Sequence, residues 1–129
     1  EVFARLGVMH RNTSVNATVV LDEWLRLKGK DNVFLAGQIT GVEGYMESTA
    51  MGLVAGINAS CGESLPAWPR ETAIGSLLHY LMTTDPKHFQ PMNINLGLFP
   101  ELSMKGKKER AQFHRDKAIS AMKEFVNTL

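Results

Sequence analysis

Between Gly37 and Glu47 the chain reads G-Q-I-T-G-V-E-G-Y-M-E, three glycines interleaved with the polar groups of Gln38, Thr40, Glu43, Tyr45 and Glu47. An apolar run, Val33 to Ala36, leads in, and a long stretch of small and apolar residues leads out. A strand that breaks at glycine and hands over to a helix leaves unpaired N–H groups and the positive end of the helix dipole facing one crevice. Such a crevice suits a phosphate, a carbonyl or the edge of an electron-rich ring. The glycine spacing alone also fits a plain strand-to-helix crossover, but a crossover does not need so many hydrogen-bonding groups around one opening. The dinucleotide fingerprint G-x-G-x-x-G after a first strand is absent.

Two further groups could carry chemistry. His10, Arg11 and Asn12 crowd together in a polar stretch, either as a solvated turn or as a holder for an anionic group. Lys105, Lys107, Lys108, Arg110, Arg115 and Lys117, diluted by Glu109 and Asp116, form either the wet face of a helix or a contact for RNA phosphates. Cys61 reads as an inert thiol at a helix end. The four histidines, His10, His79, His88 and His114, are too scattered to propose a metal site.

At 129 residues and 44% hydrophobic content the chain can build one core. A net charge of +1 gives no global field demanding a polyanion. One cysteine excludes an internal disulfide and agrees with a reducing, cytoplasmic setting. No apolar run approaches the ~18 residues of a membrane span. The opening Glu-Val-Phe-Ala-Arg, without initiator methionine or leader pattern, leads us to expect a piece of a longer protein.

The elements that would position these groups follow from periodicity. Strands are expected at Glu1 to Leu6, Val19 to Leu21, Trp24 to Lys28 and Val33 to Ala36, with a turn over Lys28 to Asn32. The last of these, continuously apolar, suits a parallel sheet covered on both faces. A helix is expected over about Gly44 to Ser60, with Ala50, Leu53, Val54 and Ile57 on its inner stripe. Gly52 and Gly56 within it cost roughly 1 kcal/mol each against alanine, which suggests something packed close against them. A second helix runs from Arg70 to Met82 and is ended by Thr84-Asp85-Pro86. Phe89 to Leu102 is extended and too apolar for a free loop. A third helix, Gly106 to Leu129, is amphipathic through Ala118, Ile119, Met122, Phe125, Val126 and Leu129.

The segment A-G-Q-I-T-G-V-E-G-Y-M-E-S (Ala36 to Ser48) resembles the C-terminal flavin-contacting motif of the glucose-inhibited-division group of tRNA-modifying flavoproteins. Two families share it: the folate- and FAD-dependent tRNA (uracil-5-)-methyltransferases, and the larger subunit of the enzyme that installs carboxymethylaminomethyl groups on wobble uridine. Met9 to Thr13 (M-H-R-N-T), Glu71 to Leu81 (E-T-A-I-G-S-L-L-H-Y-L), Asp85 to Asn95 (D-P-K-H-F-Q-P-M-N-I-N) and Gly97 to Pro100 (G-L-F-P) resemble the methyltransferases. The likeness covers nearly the whole chain and corresponds to the C-terminal portion of that family.

The resemblance implies an α/β fold, the C-terminal part of a Rossmann-like FAD-binding domain with a few strands and three helices, incomplete without its N-terminal region. Residues 1–62 would be the flavin-domain segment, 63–104 a helix and packing segment of the same domain, and 105–129 a terminal helix. It implies methylation of C5 of the T-loop uridine of tRNA, with methylenetetrahydrofolate as carbon donor, reduced FAD as reductant and NAD(P)H as ultimate donor. Gly37, Gln38, Ile39, Thr40, Gly44, Tyr45, Met46 and Glu47 would contact the cofactor, His10, Arg11 and Asn12 would lie near flavin and folate, and Lys107, Lys108 and Arg110 would meet tRNA. The family's catalytic cysteines are expected upstream, and Cys61 does not stand in their motif. The isolated chain is therefore expected neither to methylate tRNA nor to hold FAD tightly. The alternatives are the wobble-uridine subunit and a non-catalytic RNA-binding or scaffold module.

Overall fold

The computed structural model describes residues 13–103 and 106–129. Among the described residues four α-helices carry the architecture: α1 (Ala17–Val20), α2 (Tyr45–Cys61), α3 (Ala73–Thr83) and α4 (Lys107–Val126). Single 3-10 turns stand at Gly37–Thr40, Gly62–Ser64 and Leu96–Leu98.

The expected strands are not a sheet. Among the described residues only isolated bridges occur: Leu21 with Leu27 and Arg26 with Phe34, both antiparallel, and Val42 with Met92, parallel. Val19 and Val20 belong to α1 instead. The run Val33 to Ala36 lies antiparallel to residues 25–27, with Leu27 N–H on the Val33 carbonyl at 2.8 Å and Leu35 N–H on that of Leu25 at 3.0 Å. Its continuous apolar character signals cover on both sides, but a ladder also needs edge partners, and these residues supply one short antiparallel neighbour. The expected strand Glu1 to Leu6 lies outside the described residues. The turn over Lys28 to Asn32 is present, closed by Lys30 N–H on Leu27 O at 2.9 Å.

Asp22 organises the passage from α1 into this hairpin-like unit. Its carboxylate accepts from the N–H groups of Trp24 and Arg26, both at 3.0 Å, and from Arg26 Nε at 2.7 Å. The turn forces Leu25 into the left-handed region, φ 64°, which costs about 1–3 kcal/mol for a non-glycine residue. Full burial of Leu25 offsets that cost.

The core gathers Ala17 and Leu21, Leu25, Val42, Met51, Val54 and Ala55 of α2, and Leu77, Leu78 and Leu81 of α3. The inner stripe of α2 therefore differs from the expected one: Leu53 is 62% exposed, while Met51, Ala55 and Asn58 are buried. The helix carries its own apolar and small residues on more than one face, so periodicity alone does not select a face, and tertiary contacts do. Helix α3 is capped by Thr72, whose hydroxyl accepts from Gly75 N–H at 2.9 Å. Helix α4 buries Phe125 against Trp68, ring centroids 4.5 Å apart, while Ile119, Val126 and Leu129 of its expected apolar face stay exposed.

Candidate cofactor site

Gly37, Gly41 and Gly44 all have positive φ, at 76°, 85° and 95°, so the chain reverses sharply three times in eight residues before α2 begins. The first reversal is locked by Thr40, whose buried hydroxyl donates to the Gly37 carbonyl at 2.7 Å. The second sets Gly41 and Glu43 against Met92, with Met92 N–H on Gly41 O at 2.9 Å and Glu43 N–H on Met92 O at 3.0 Å. Segment 89–95 thus crosses the start of α2 and holds it in place.

Gly44 is the residue before α2 and offers no side chain to its first turn. Glu47, three residues on, folds its carboxylate over Gly44 into the space a Cβ would fill, and its Oε1 accepts from Ile94 N–H at 3.4 Å. A carboxylate there complements the positive end of the helix. The same device opens α4, where the carboxylate of Glu109 lies over Gly106. Behind this cap the hydroxyl of Ser48 is buried with no hydrogen-bond partner among the described residues, and the site of a Gly37 Cβ would be 3.8 Å from it.

The structure thus brings eight expected cofactor residues into one reversal and helix start, in distinct roles. Thr40 is buried and engaged with Gly37. Glu47 faces the protein's own backbone. Gln38, Ile39, Tyr45 and Met46 face outward, the last two 93% and 82% exposed. His10, Arg11 and Asn12 lie outside the described residues. Lys107, Lys108 and Arg110 are exposed at the start of α4. Lys107 and Arg110 border a shallow cavity of about 530 Å³ with Phe99, Pro100 and His114.

One cluster escaped the sequence reading. Trp24, Trp68, Arg70, Leu78, His79 and Met82 line a cavity of about 350 Å³. His79 is held below its ordinary value of 6.5, first by burial and then by the charge of Arg70. The local signal was Pro66-Ala67-Trp68-Pro69, an aromatic fixed between prolines and followed at once by Arg70; Leu78, His79 and Met82 come from α3, and Trp24 from a distant segment. Among the described residues no three or more His, Cys, Asp or Glu gather as for a metal, and no helix is long and apolar enough to cross a membrane.

Residues 1–64 match the family described as Glucose inhibited division protein A. Proteins named methylenetetrahydrofolate--tRNA-(uracil-5-)-methyltransferase TrmFO match nearly all of the chain. That of Desulforamulus reducens is 50% identical, covering 96% of this chain and 29% of its own length. That of Pelotomaculum thermopropionicum is 51% identical, covering 98% and 30%, and that of Bacillus subtilis is 50% identical, covering 97% and 30%. The chain spans about three tenths of the length of these curated relatives. Over that stretch it is about half identical to these TrmFO proteins, and its residues 1–64 carry the match to the glucose-inhibited-division proteins.

Proposed function

We propose that this chain is part of the flavin domain of a folate-dependent tRNA methyltransferase, with a Rossmann-like FAD-binding fold completed by the remainder of a longer polypeptide. The supporting observation is half identity, along nearly all of the chain, to proteins whose names state methylenetetrahydrofolate, tRNA and uracil-5 methylation. In this reading the reaction places a methyl group on C5 of the T-loop uridine in the cytoplasm, with FAD and NAD(P)H supplying reducing equivalents. Segments 1–62 and 63–104 belong to one flavin domain, and 105–129 is an appended helix.

The residues at the start of α2 fit a flavin. A glycine-built reversal leads to a helix amino end, where Tyr45 and Met46 stand almost wholly exposed and the Ser48 hydroxyl is left without a partner. Bound there, FAD would supply hydride chemistry that no side chain of this chain provides. Gln38 and Ile39 would flank it at the reversal. Backbone N–H groups of Tyr45 and Met46 would favour electron density at the ring's polar edge. Glu47 keeps the helix start in register by holding Ile94, so the N–H groups are fixed before any ligand arrives. His10, Arg11 and Asn12 are proposed to lie near flavin and folate. Lys107, Lys108 and Arg110 are proposed to meet tRNA phosphates, which would make affinity salt-dependent.

The test is made in the longer polypeptide. Gly44→Val removes the positive-φ residue and drives a side chain into Glu47, and should abolish FAD retention. Tyr45→Ser changes an exposed residue and no core contact, and should weaken FAD retention in a folded protein. Wild-type flavin content in both variants overturns the reading.

A further inference from the structure

Away from the start of α2, the cavity of about 350 Å³ lies between the Asp22–Arg26 turn, the Pro66–Pro69 connector and α3. It is near the lower end of small-ligand pockets. Both tryptophans of the chain line it.

One residue fixes both. Asn58, fully buried in α2, donates from Nδ2 to the Trp24 carbonyl at 2.9 Å and accepts on Oδ1 from the Trp68 indole at 3.0 Å. Each indole is also packed from outside the cavity: Phe125 lies 4.5 Å from Trp68, and the Arg26 guanidinium sits 5.5 Å over Trp24. The aromatic walls are therefore positioned before a ligand arrives, with Leu78 and Met82 adding apolar surface.

The polar groups narrow the ligand. Arg70 is exposed and its guanidinium has no hydrogen-bond or ion-pair partner among the described residues. Its backbone is pinned, with Ser76 Oγ donating to the Arg70 carbonyl at 2.7 Å. His79, neutral at pH 7, offers one N–H and one lone pair, and Glu23 offers an acceptor-only edge. A hydrocarbon ligand would leave all three unused. A flat ring with a hydrogen-bonding edge and one attached anion uses each: rings stack on indole, and guanidinium pairs with phosphate.

We propose that this cavity binds one nucleoside monophosphate unit, its base against Trp24 and Trp68 and its phosphate on Arg70. The unit is either a free nucleotide or an unstacked nucleotide of RNA. The proposal does not depend on the flavin reading.

The test is calorimetric titration of the longer polypeptide, saturated with FAD so that a flavin site is filled. The probes are uridine, UMP, AMP, GMP and a single-stranded hexauridylate. In the 129-residue chain, tryptophan fluorescence adds a direct report, because both indoles line the cavity. Saturable binding of a monophosphate is expected. Arg70→Ala should weaken it roughly tenfold, the loss of a charge-assisted contact, while uridine binding changes less than about twofold. Arg70→Lys should restore part of it. Tighter binding of the hexamer than of UMP assigns the source to RNA, and equal or weaker binding assigns a free nucleotide. Absence of saturable binding by every probe overturns the proposal. So does an Arg70→Ala effect equal for uridine and UMP, or no effect in a variant whose circular dichroism matches wild type.

Discussion

Asn58 and Trp68 are joined by a hydrogen bond of 3.0 Å from the indole N–H to the amide oxygen, and the same amide nitrogen holds the Trp24 carbonyl at 2.9 Å. A buried asparagine in the last turn of α2 is costly unless both ends are satisfied, and here both are. Asn58→Ala leaves a carbonyl and an indole N–H without their partner and opens a small void. The expected loss is about 2–4 kcal/mol, read from urea unfolding followed by tryptophan emission. Asn58→Asp keeps the acceptor, loses the donor and buries a charge, so it should be at least as damaging. A loss below about 0.5 kcal/mol for both would show that the bridge is dispensable.

Gly75 governs how close α3 approaches the proline-bounded connector. A Cβ there would collide with the Pro69 carbonyl and lie 2.9 Å from that of Trp68. Those atoms are backbone, pinned by Thr72, whose N–H and hydroxyl both bond to Pro69 O at 3.0 and 2.7 Å. Gly75→Ala should therefore cost about 3 kcal/mol even though alanine is the better helix former. Thermal unfolding of the variant checks this, and an unchanged midpoint contradicts the close approach.

Local patterns in the sequence were enough to find α2, α3 and α4, because each has a readable stop or start. Gly62 follows Cys61 with φ 62°, and Thr84 caps α3 just before Pro86. Glu47 and Glu109, each three residues after a glycine, are likewise local signals for helix starts. What could not be read is what depends on partners. The buried face of α2 is not legible at Leu53 because the helix carries its own small and apolar residues on more than one face. The run Val33 to Ala36 carries a strand's composition, yet pairing is a property of neighbours, and among the described residues it has one, residues 25–27. The tryptophan cavity joins Glu23 and Trp24 to Trp68 and His79, more than forty residues on, and no periodicity announces it.

Gly52 and Gly56 contrast with Gly75. Nothing lies within 4 Å of a Cβ built on either, so the close packing expected from the sequence is not made by the described residues. In this chain alone, Gly52→Ala and Gly56→Ala should each stabilise α2 by roughly 0.5–1 kcal/mol, through propensity and reduced unfolded-state entropy. Urea unfolding of the single variants and the pair measures it. Destabilisation by either would mean that its face is covered, for example by self-association, which sedimentation of wild type and variant would reveal.

His79 gives the chain a signed pH response. Burial first, and Arg70 second, hold its folded value below the 6.5 of the unfolded chain. Between those two values the unfolded chain binds more protons, so stability rises with pH. The contribution is complete above 6.5 and is lost as pH falls through the folded value. Among the residues lining the cavity, Glu23 is the carboxylate and Arg70 the cation, and it is Arg70 that reinforces the shift. The slope is expected to be gentle, because His79 is only partly buried and water screens its charge. Urea midpoints of wild type and His79→Gln between about pH 5 and 8 isolate it, since other titrating groups cancel in the difference. Wild type should lose stability faster than His79→Gln as pH falls below 6.5, and Arg70→Ala should show the same sign with a shallower slope. A wild type that gains on His79→Gln as acid is added would reverse the sign and refute the assignment.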